Sequence, residues 1–211
     1  MCDERCSLLA NYVGCYGDPF YLEIPDSFET YYKLITTEGR GNYKKAQKVK
    51  CRVERIYKIT SQIYENIRDI WTSKSIRQGR PAGHFYGVLG NGPHDVLKSW
   101  PIEDYSIYTC PKHYFVFYGC FIEDKMVAYM EAICTNELMT VHSTMGNGKY
   151  LINGVMKFLF MEIFRLNMGK IKYFQYTNYQ KEGDRLYFMR DLGITSHNNP
   201  QLLVSVAKGG L

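Results

Sequence analysis

Residues 114–122 read YFVFYGCFI, and after a polar turn at 123–125, residues 126–134 read MVAYMEAIC. Both runs are rich in aromatic and β-branched residues, which favour strands. The short turn between them predicts a β-hairpin. A third run, LMTVH at 138–142, follows a second short turn. This part of the chain therefore predicts a three-stranded antiparallel meander.

A glycine-rich loop follows the third predicted strand, where residues 143–148 read STMGNG. Apolar side chains at helical spacing predict a helix over about 150–167. Glycines let a backbone approach a phosphate closely, and the N–H groups at a helix start point toward it. The loop therefore indicates a site for a phosphate-bearing cofactor, and Lys149 would add a positive charge. The alternative is a tight strand-to-helix turn that binds no ligand.

Further elements are predicted on both sides of this stretch. Polar and apolar residues alternate within 45–59, which predicts a half-buried strand, and a helix capped by Thr60 or Ser61 follows. The remaining predictions are a short helix capped by Asp26 or Ser27, a loop at 37–42, a strand at 170–177, a short helix at 184–192 and a last strand at 201–207.

The order of these elements resembles that of the Gcn5-related N-acetyltransferase (GNAT) superfamily. The likeness covers residues 113–207 and, more loosely, residues 45–80. It implies an α+β fold with a mixed, mostly antiparallel central sheet flanked by helices. Residues 45–211 are then expected to form the acyltransferase domain, and residues 1–44 an N-terminal extension.

The glycine loop carries the first part of this resemblance. The family binds the pyrophosphate of acyl-CoA on a loop of pattern Gln/Arg-x-x-Gly-x-Gly/Ala, and here both glycines are present with Ser143 at the first position. The resemblance implies that acetyl-CoA or another acyl-CoA is the cofactor, with backbone groups of the preceding strand holding the thioester. The cofactor-binding residues it implies are Val141, Ser143, Gly146, Asn147, Gly148, Lys149 and Asn178.

A second segment, LYFMRDLGI at 186–194, looks like the family's Phe-Tyr-x-x-x-Gly-Phe segment. In the family, a tyrosine four residues before the glycine protonates the departing thiolate. Met189 stands at that position here, and Tyr187 lies two residues earlier. The resemblance therefore implies Tyr187 as the candidate acid, with a core aromatic as the alternative.

Two further side chains are candidates for acid–base chemistry. His142 ends the third strand beside the glycine loop and is a candidate base, because histidine titrates near neutrality. A histidine satisfied by a local hydrogen bond is the equal alternative. Glu131 lies inside an apolar run, and we expect it on the solvent face, with a perturbed acid in a cleft as the alternative.

The seven cysteines are odd in number, and several lie in apolar runs. Together with the absence of a signal peptide or long apolar span, they favour a reducing cytoplasmic setting and no membrane partner. No metal site is expected, because Cys2, Cys6 and Cys15 lack a second ligand pair at usual spacing. Cys110 and His113 are a minor candidate for a nucleophile and its base.

The net charge of +5 is mildly basic and unevenly distributed. A polyanion could dock on the basic stretch, although a solvated strand face is the plainer interpretation. The stretch comprises Arg40, Lys44, Lys45, Lys48, Lys50, Arg52, Arg55 and Lys58. A Gly- and Pro-rich segment at 79–101 is typical of a binding loop. With the arginines beside it, this segment provides the acceptor-binding candidates Arg77, Arg80, His84 and Tyr86.

These observations support three hypotheses about function. The first is an acyl-CoA-dependent N-acyltransferase, whose acceptor could be a nucleic-acid base, by analogy with phage-encoded DNA-modifying acyltransferases of the Mom type. The second is a GNAT-like binding module that has lost catalysis. The third is an aminoacyl transferase that uses charged tRNA, with the basic stretch holding the tRNA.

Overall fold

The computed structural model describes residues 20–77, 80–81, 104–108, 110–176 and 184–196. Its elements are β1 (Phe20–Glu23), α1 (Phe28–Leu34), α2 (Thr37–Lys48), β2 (Arg52–Ile56), α3 (Ser61–Thr72), β3 (Ile76–Arg77), β4 (Arg80–Pro81), β5 (His113–Ile122), β6 (Lys125–Thr135), β7 (Leu138–Gly146), α4 (Val155–Asn167), β8 (Tyr173–Tyr176), α5 (Asp184–Asp191) and β9 (Thr195–Ser196). Two 3₁₀ turns, Tyr105–Ile107 and Leu151–Asn153, complete them. In this part of the chain, no helix combines the length and the apolar character that crossing a membrane requires. The last strand predicted at 201–207 lies outside the described residues.

A seven-stranded sheet organises the described residues, in the order β2-β5-β6-β7-β8-β1-β9. Only β7 and β8 pair in parallel; the other neighbours are antiparallel. The predicted meander is confirmed as β5, β6 and β7, and so is the mostly antiparallel α+β sheet. Strands β3 and β4 form a separate two-stranded pair.

Each face of the sheet carries its own apolar core, because successive side chains of a strand point to opposite faces. On one face, α4 packs Phe158 and Phe160 into a large cluster with Val116 of β5. On the other face, α3 packs Ile67 into a smaller cluster with Tyr129 of β6. We call these the α4 face and the α3 face.

Side-chain caps begin the three N-terminal helices. The Ser27 and Thr60 hydroxyls accept from the backbone N–H groups of Thr30 and Ile63, as predicted for α1 and α3. The prediction of a loop at 37–42 is wrong. These residues are the first turns of α2, which Thr36 caps. The strand predicted within 45–59 begins only at β2, since α2 continues to Lys48.

The glycine that made 37–42 resemble a loop has a packing role instead. A Cβ atom on Gly39 would lie 2.3 Å from the carbonyl oxygen of Asp191, at the end of α5. The helix therefore needs a residue without a side chain at this crossing. The Thr36 hydroxyl also donates to the Asp191 carboxylate over 2.8 Å, which fixes the two helices together.

The domain boundary predicted after residue 44 falls inside α2, and β1 lies within the sheet between β8 and β9. On α1, the fully buried Tyr31 donates its hydroxyl to the carbonyl of Leu192 over 3.0 Å. Residues 20–44 therefore pack against the same sheet as the residues that follow them, and the N-terminal extension over residues 1–44 stays a prediction.

The helix predicted over 150–167 begins later than expected. The 3₁₀ turn occupies its first residues, and Gly154 then adopts a left-handed backbone with φ of 74° before α4 starts. A Cβ atom on Gly154 would lie 2.3 Å from the carbonyl oxygen of Asn42 on α2. Backbone conformation and close packing both require glycine here.

Gly154→Ala is expected to lower the free energy of unfolding by at least about 2 kcal/mol, because it adds a clash to an unfavourable backbone. Gly169→Ala is the matched control: Gly169 has φ of 77° and nothing within 4 Å of its Cβ position. We expect this control to cost only about 1 kcal/mol. Urea unfolding measures both, and equal losses would show that the α2–α4 contact contributes nothing.

Candidate active site

A β-bulge in β7 organises the polar residues of the α3 face. Glu131 pairs with Ser143, whereas the next residue of β6, Ala132, pairs with Val141. His142 is therefore an extra residue between two ladder pairs. A bulge bends its strand and redirects side chains. Here it lets the consecutive side chains of His142 and Ser143 reach partners on the same face of the sheet.

Glu131 and His142 form the central contact of this site. The Nδ1 atom of His142 lies 2.6 Å from Oε2 of Glu131. Glu131 is fully buried, and the His142 side chain is 32% exposed. The expectation that Glu131 lies on the solvent face is therefore wrong, and its alternative, a perturbed acid in a cleft, stays a prediction.

Tyr105 completes the surroundings of this carboxylate. Its hydroxyl donates to Oε1 of Glu131 over 2.6 Å, and the tyrosine is itself almost fully buried. Asp104 caps the 3₁₀ turn that carries Tyr105, and the Tyr105 N–H donates to the carbonyl of Tyr57 over 2.7 Å. Its ring packs on Phe117 of β5 at 5.6 Å. Each oxygen of the buried carboxylate thus has a partner, as a buried charge requires.

This geometry prepares His142 for proton transfer. An ionised carboxylate only accepts hydrogen bonds, so the hydrogen of the imidazole is placed on Nδ1. The other ring nitrogen, Nε2, is then the atom that can take up a proton. A carboxylate that orients a histidine and stabilises its protonated form is a recurrent arrangement for a general base. The edge of the Phe115 ring, 6.2 Å away between centroids, packs against the imidazole.

A second hydrogen-bonded chain reaches the bulge beside His142. The indole Nε1 of Trp71 on α3 donates to the Tyr129 hydroxyl over 3.0 Å. That hydroxyl lies 3.4 Å from the Ser143 hydroxyl. Tyr129 is fully buried and stacks on Phe117 at 5.4 Å. Ser143 therefore lies at the end of this polar chain, next to His142 in the sequence.

The backbone of the glycine loop is hydrogen-bonded within the protein. The N–H groups of Asn147 and Gly148 donate to the Val127 carbonyl and the Ser73 hydroxyl, each over 2.8 Å. The N–H groups of Lys149 and Tyr150 donate to the side chain and the carbonyl of Asn147, each over 3.0 Å. Four successive donors of the predicted phosphate cradle thus already have acceptors. Lys149 itself is exposed.

The side chain of Asn147 connects this loop to α3. It is fully buried, and its amide donates to Asp69 of α3 over 3.1 Å. Cβ atoms on the flanking glycines would collide: Gly146 with Leu151 at 2.7 Å and Gly148 with Lys74 at 2.4 Å. Close packing therefore requires a residue without a side chain at both positions, against the 3₁₀ turn at Gly146 and against the residues just after α3 at Gly148.

The structure does not bring Tyr187 to the His142 site. Tyr187 lies on α5, where its side chain is largely exposed and Arg190 lies over its ring at 5.0 Å. The neighbouring Phe188 and Met189 pack into the core of the α4 face, against Phe160 and others. The alternative for Tyr187, a core aromatic, does not match its exposed side chain either.

The remaining candidates are only partly described. Arg77 and Arg80 face each other as Cα partners in the β3–β4 pair. His84, Tyr86 and Asn178 lie outside the described residues, and the acceptor-binding and cofactor-binding roles assigned to them remain predictions. Val141 is buried in the core of the α4 face.

Cys110 and His113 do approach each other, with Sγ and Nδ1 3.7 Å apart. His113 begins β5, opposite Thr135 at the end of β6. In the described ranges, no group of three or more His, Cys, Asp or Glu side chains is arranged to hold a metal ion.

Three residues of the site escaped the sequence analysis: Tyr105, Tyr129 and Trp71. Each is an aromatic residue with a polar tip, a type that usually hydrogen-bonds when buried. A usable signal was the single charged residue, Glu131, within the apolar run 126–134. A buried carboxylate requires hydrogen-bond donors. Tyrosine, with 19 copies, is the most abundant aromatic residue with such a donor in this sequence.

No protein-family model matches the chain, and no curated protein matches its sequence. Solved structures do match. They include a functionally unknown conserved protein from Staphylococcus epidermidis (TM-score 0.50, 8% identity, 93% of this chain and 65% of that one). They also include the C-terminal domain of a protein described as a lysylphosphatidylglycerol synthetase from Agrobacterium fabrum (TM-score 0.52, 13% identity, 92% and 66%). A third is FemX (TM-score 0.52, 9% identity, 90% and 65%).

The chain thus spans slightly less than two thirds of the length of these solved chains. At such low identities the likeness establishes the fold alone, which is GNAT-like. It lends no support to the DNA-modifying phage type.

Tyr105→Phe is expected to lower the free energy of unfolding by about 1–3 kcal/mol, because it removes the donor to a buried carboxylate oxygen. Urea unfolding followed by circular dichroism measures the loss. Tyr57→Phe is the matched control, since the Tyr57 side chain is more than half exposed. Its effect should stay within about 0.5 kcal/mol. An equally small loss for Tyr105→Phe would contradict the contact between Tyr105 and Glu131.

Proposed function

We propose that this chain is an aminoacyl transferase, which moves an amino acid from a charged tRNA to an acceptor amine. The proposal rests on one observation above all: the buried Glu131 carboxylate lies 2.6 Å from Nδ1 of a partly exposed His142. The GNAT-like fold, shared with a domain named for lysylphosphatidylglycerol synthesis, supports acyl transfer as the class of reaction.

In the proposed reaction, His142 is the general base. Its Nε2 takes a proton from the attacking amine as the new N–C bond forms at the ester carbonyl. The ester C–O bond then breaks, and the imidazolium returns the proton to the departing ribose oxygen. Glu131 stabilises the imidazolium between these two steps, and Tyr105 holds Glu131 in place. No further reactant is needed to balance the reaction.

We propose a role at the carbonyl for Ser143. Ser143 follows His142 in the bulged strand, and its hydroxyl lies 3.4 Å from the Tyr129 hydroxyl. A donor held rigidly where negative charge develops stabilises the transition state of acyl transfer. We assign this role to the Ser143 hydroxyl. In our proposal, Ser143 thus has a catalytic role at the position where the family pattern has a phosphate-binding Gln or Arg.

Two observations favour an aminoacyl ester over acyl-CoA as the donor. The N–H groups at residues 147–150 already have acceptors in the protein, so a pyrophosphate would have to displace those bonds. In addition, the related domain from Agrobacterium fabrum is named for a reaction that attaches a lysyl group.

The catalytic assignment predicts the effect of two substitutions. His142→Gln should lower the transfer rate by about 10²–10⁴-fold, because the general base is lost. Glu131→Gln should also lower it strongly, because a neutral amide does not stabilise the imidazolium and does not fix its tautomer. The measurement is transfer of a radiolabelled amino acid from charged tRNA to a panel of primary amines.

The control is Glu137→Gln, the same chemical change at an exposed turn between β6 and β7, which should leave the rate unchanged. Wild-type rates for His142→Gln would refute the role of the base.

The choice of donor is tested separately by thermal unfolding. A ligand present at 100 times its dissociation constant adds about 2.7 kcal/mol of stability. Charged tRNA should produce such a shift, and acetyl-CoA should not. Stabilisation by acetyl-CoA alone would replace the proposal by acyl-CoA-dependent transfer.

A further inference from the structure

A group of exposed lysines lies along the second half of α2 and the turn that follows it. We call Lys44, Lys45, Lys48 and Lys50 the α2 basic surface. All four are exposed, and none forms an ion pair with any residue that the structure describes. Lys157 contrasts with them, because it is bound by Asp191 and Glu38. Among the residues that the structure describes, no ion pair neutralises these four positive charges.

A cleft of about 550 Å³ adjoins these lysines, between α2, β2 and α4. Tyr43 and Phe158, both buried, form part of its wall, and Gln47, Glu162 and Arg165 line it with polar groups. Gln47 projects from the helix that carries the lysines. The cleft therefore shares the helix α2 with the basic surface.

The polar groups of the cleft are held in place. The Glu162 carboxylate accepts from the Tyr43 hydroxyl over 2.5 Å and from Arg165 Nε and Nη2 over 2.9 and 2.6 Å. Burial and this hydrogen bond raise the pKa of Tyr43, so that its hydroxyl remains a neutral donor. Gln47, which is exposed, can both donate and accept. The cleft thus combines a half-exposed guanidinium group with a fixed hydrogen-bonding edge.

Exposed lysines beside a cleft lined by polar groups are typical of a surface that binds single-stranded nucleic acid. Lysines neutralise backbone phosphates, while an unstacked base stacks on the plane of an arginine and is bound by polar groups at its edge. Here Arg165 offers a half-exposed guanidinium group, and Gln47 offers the polar group. We propose that the α2 basic surface docks the RNA of the aminoacyl donor, and that the cleft receives one of its unpaired bases. This inference rests on the proposed function.

An anionic membrane is a poorer partner for this surface. Helices that lie on membranes carry large apolar side chains beside their basic residues. On α2, the apolar residues Tyr43 and Ala46 are instead buried in the protein core. Binding to lipid vesicles is therefore an outcome that would contradict the proposal.

The surface and the reaction site lie on different faces of the sheet. The α2 basic surface belongs to the α4 face, where Tyr43 packs on Phe158, whereas His142 and Glu131 are on the α3 face. Removing the lysines should therefore weaken RNA binding without changing the chemistry of bound substrate. KM for charged tRNA should rise, and kcat should stay at its wild-type value.

The test combines Lys44→Gln, Lys45→Gln and Lys48→Gln in one variant of the full chain. Binding of unfractionated, uncharged tRNA is followed by fluorescence anisotropy from 50 to 200 mM salt. Loss of three phosphate contacts should reduce the slope of log affinity against log salt by about 2–3. At the lowest salt concentration, affinity should fall by about tenfold or more.

The matched control removes the same charge elsewhere, through Lys112→Gln, Lys170→Gln and Lys172→Gln, all exposed positions. Its slope should stay at the wild-type value. Equal losses in both variants would show that only net charge matters, and would overturn the proposal. So would an unchanged slope in the α2 variant, or binding to phosphatidylglycerol vesicles that depends on the α2 lysines while tRNA binding does not.

Gln47→Ala tests the cleft by itself. It removes a neutral hydrogen-bonding group, so affinity should fall by about 2–12-fold with no change in the salt slope. Unchanged affinity would overturn the assignment of the cleft.

The two proposals fail in different ways. Lysine-dependent tRNA binding without any amino-acid transfer would refute the function and leave the surface. Transfer with an unchanged KM in the α2 variant would refute the surface and leave the function.

Discussion

The β-bulge at His142 is the constraint on which the candidate site depends. In a regular strand, consecutive side chains point to opposite faces, so His142 and Ser143 would be separated by the sheet. The bulge places both beside the residues of β6 that share the α3 face, Glu131 and Tyr129. The long antiparallel strands β5 and β6 hold the ladder on either side of this irregularity, which keeps it in one register.

Burial of a carboxylate in this sheet is costly, since desolvation of an ion in a protein interior costs several kcal/mol. The protein offsets that cost with two short hydrogen bonds to Glu131, from Tyr105 and His142. Because each partner comes from a different part of the chain, the position of the carboxylate is determined by three segments together. The same arrangement that stabilises the charge also orients the imidazole. Structure and proposed chemistry therefore depend on the same contacts.

In our proposal, the basic stretch and not the glycine loop meets the phosphates of the substrate. Residues 146–148 resemble a phosphate site, yet Asn147 and Gly148 connect β7 to Asp69 of α3 and to Ser73 at its end. The plainest interpretation of the basic stretch in the sequence was a solvated strand face. Much of it instead lies on the helix α2, next to a cleft lined by Glu162 and Arg165. In our proposal, the phosphates of the substrate therefore meet the α4 face, and the reaction occurs on the α3 face.

Local patterns in the sequence were sufficient for the meander, for the caps of α1 and α3, and for the GNAT-like order of elements. Those features depend on residues close together in the chain, whose periodicity and capping chemistry are legible without a structure. Histidine at position 142 was also identified as a candidate base from its place beside the loop. The helix α2 was missed because Gly39 indicates a loop locally, whereas its small size is required by Asp191, far along the chain. Glu131 was placed on the wrong face for a related reason: alternation in a strand shows that two faces exist, but not which distant residues cover them. Only the folded chain brings Tyr105 and His142 to that carboxylate, because a buried charge is stabilised by partners in space and not by neighbours in sequence.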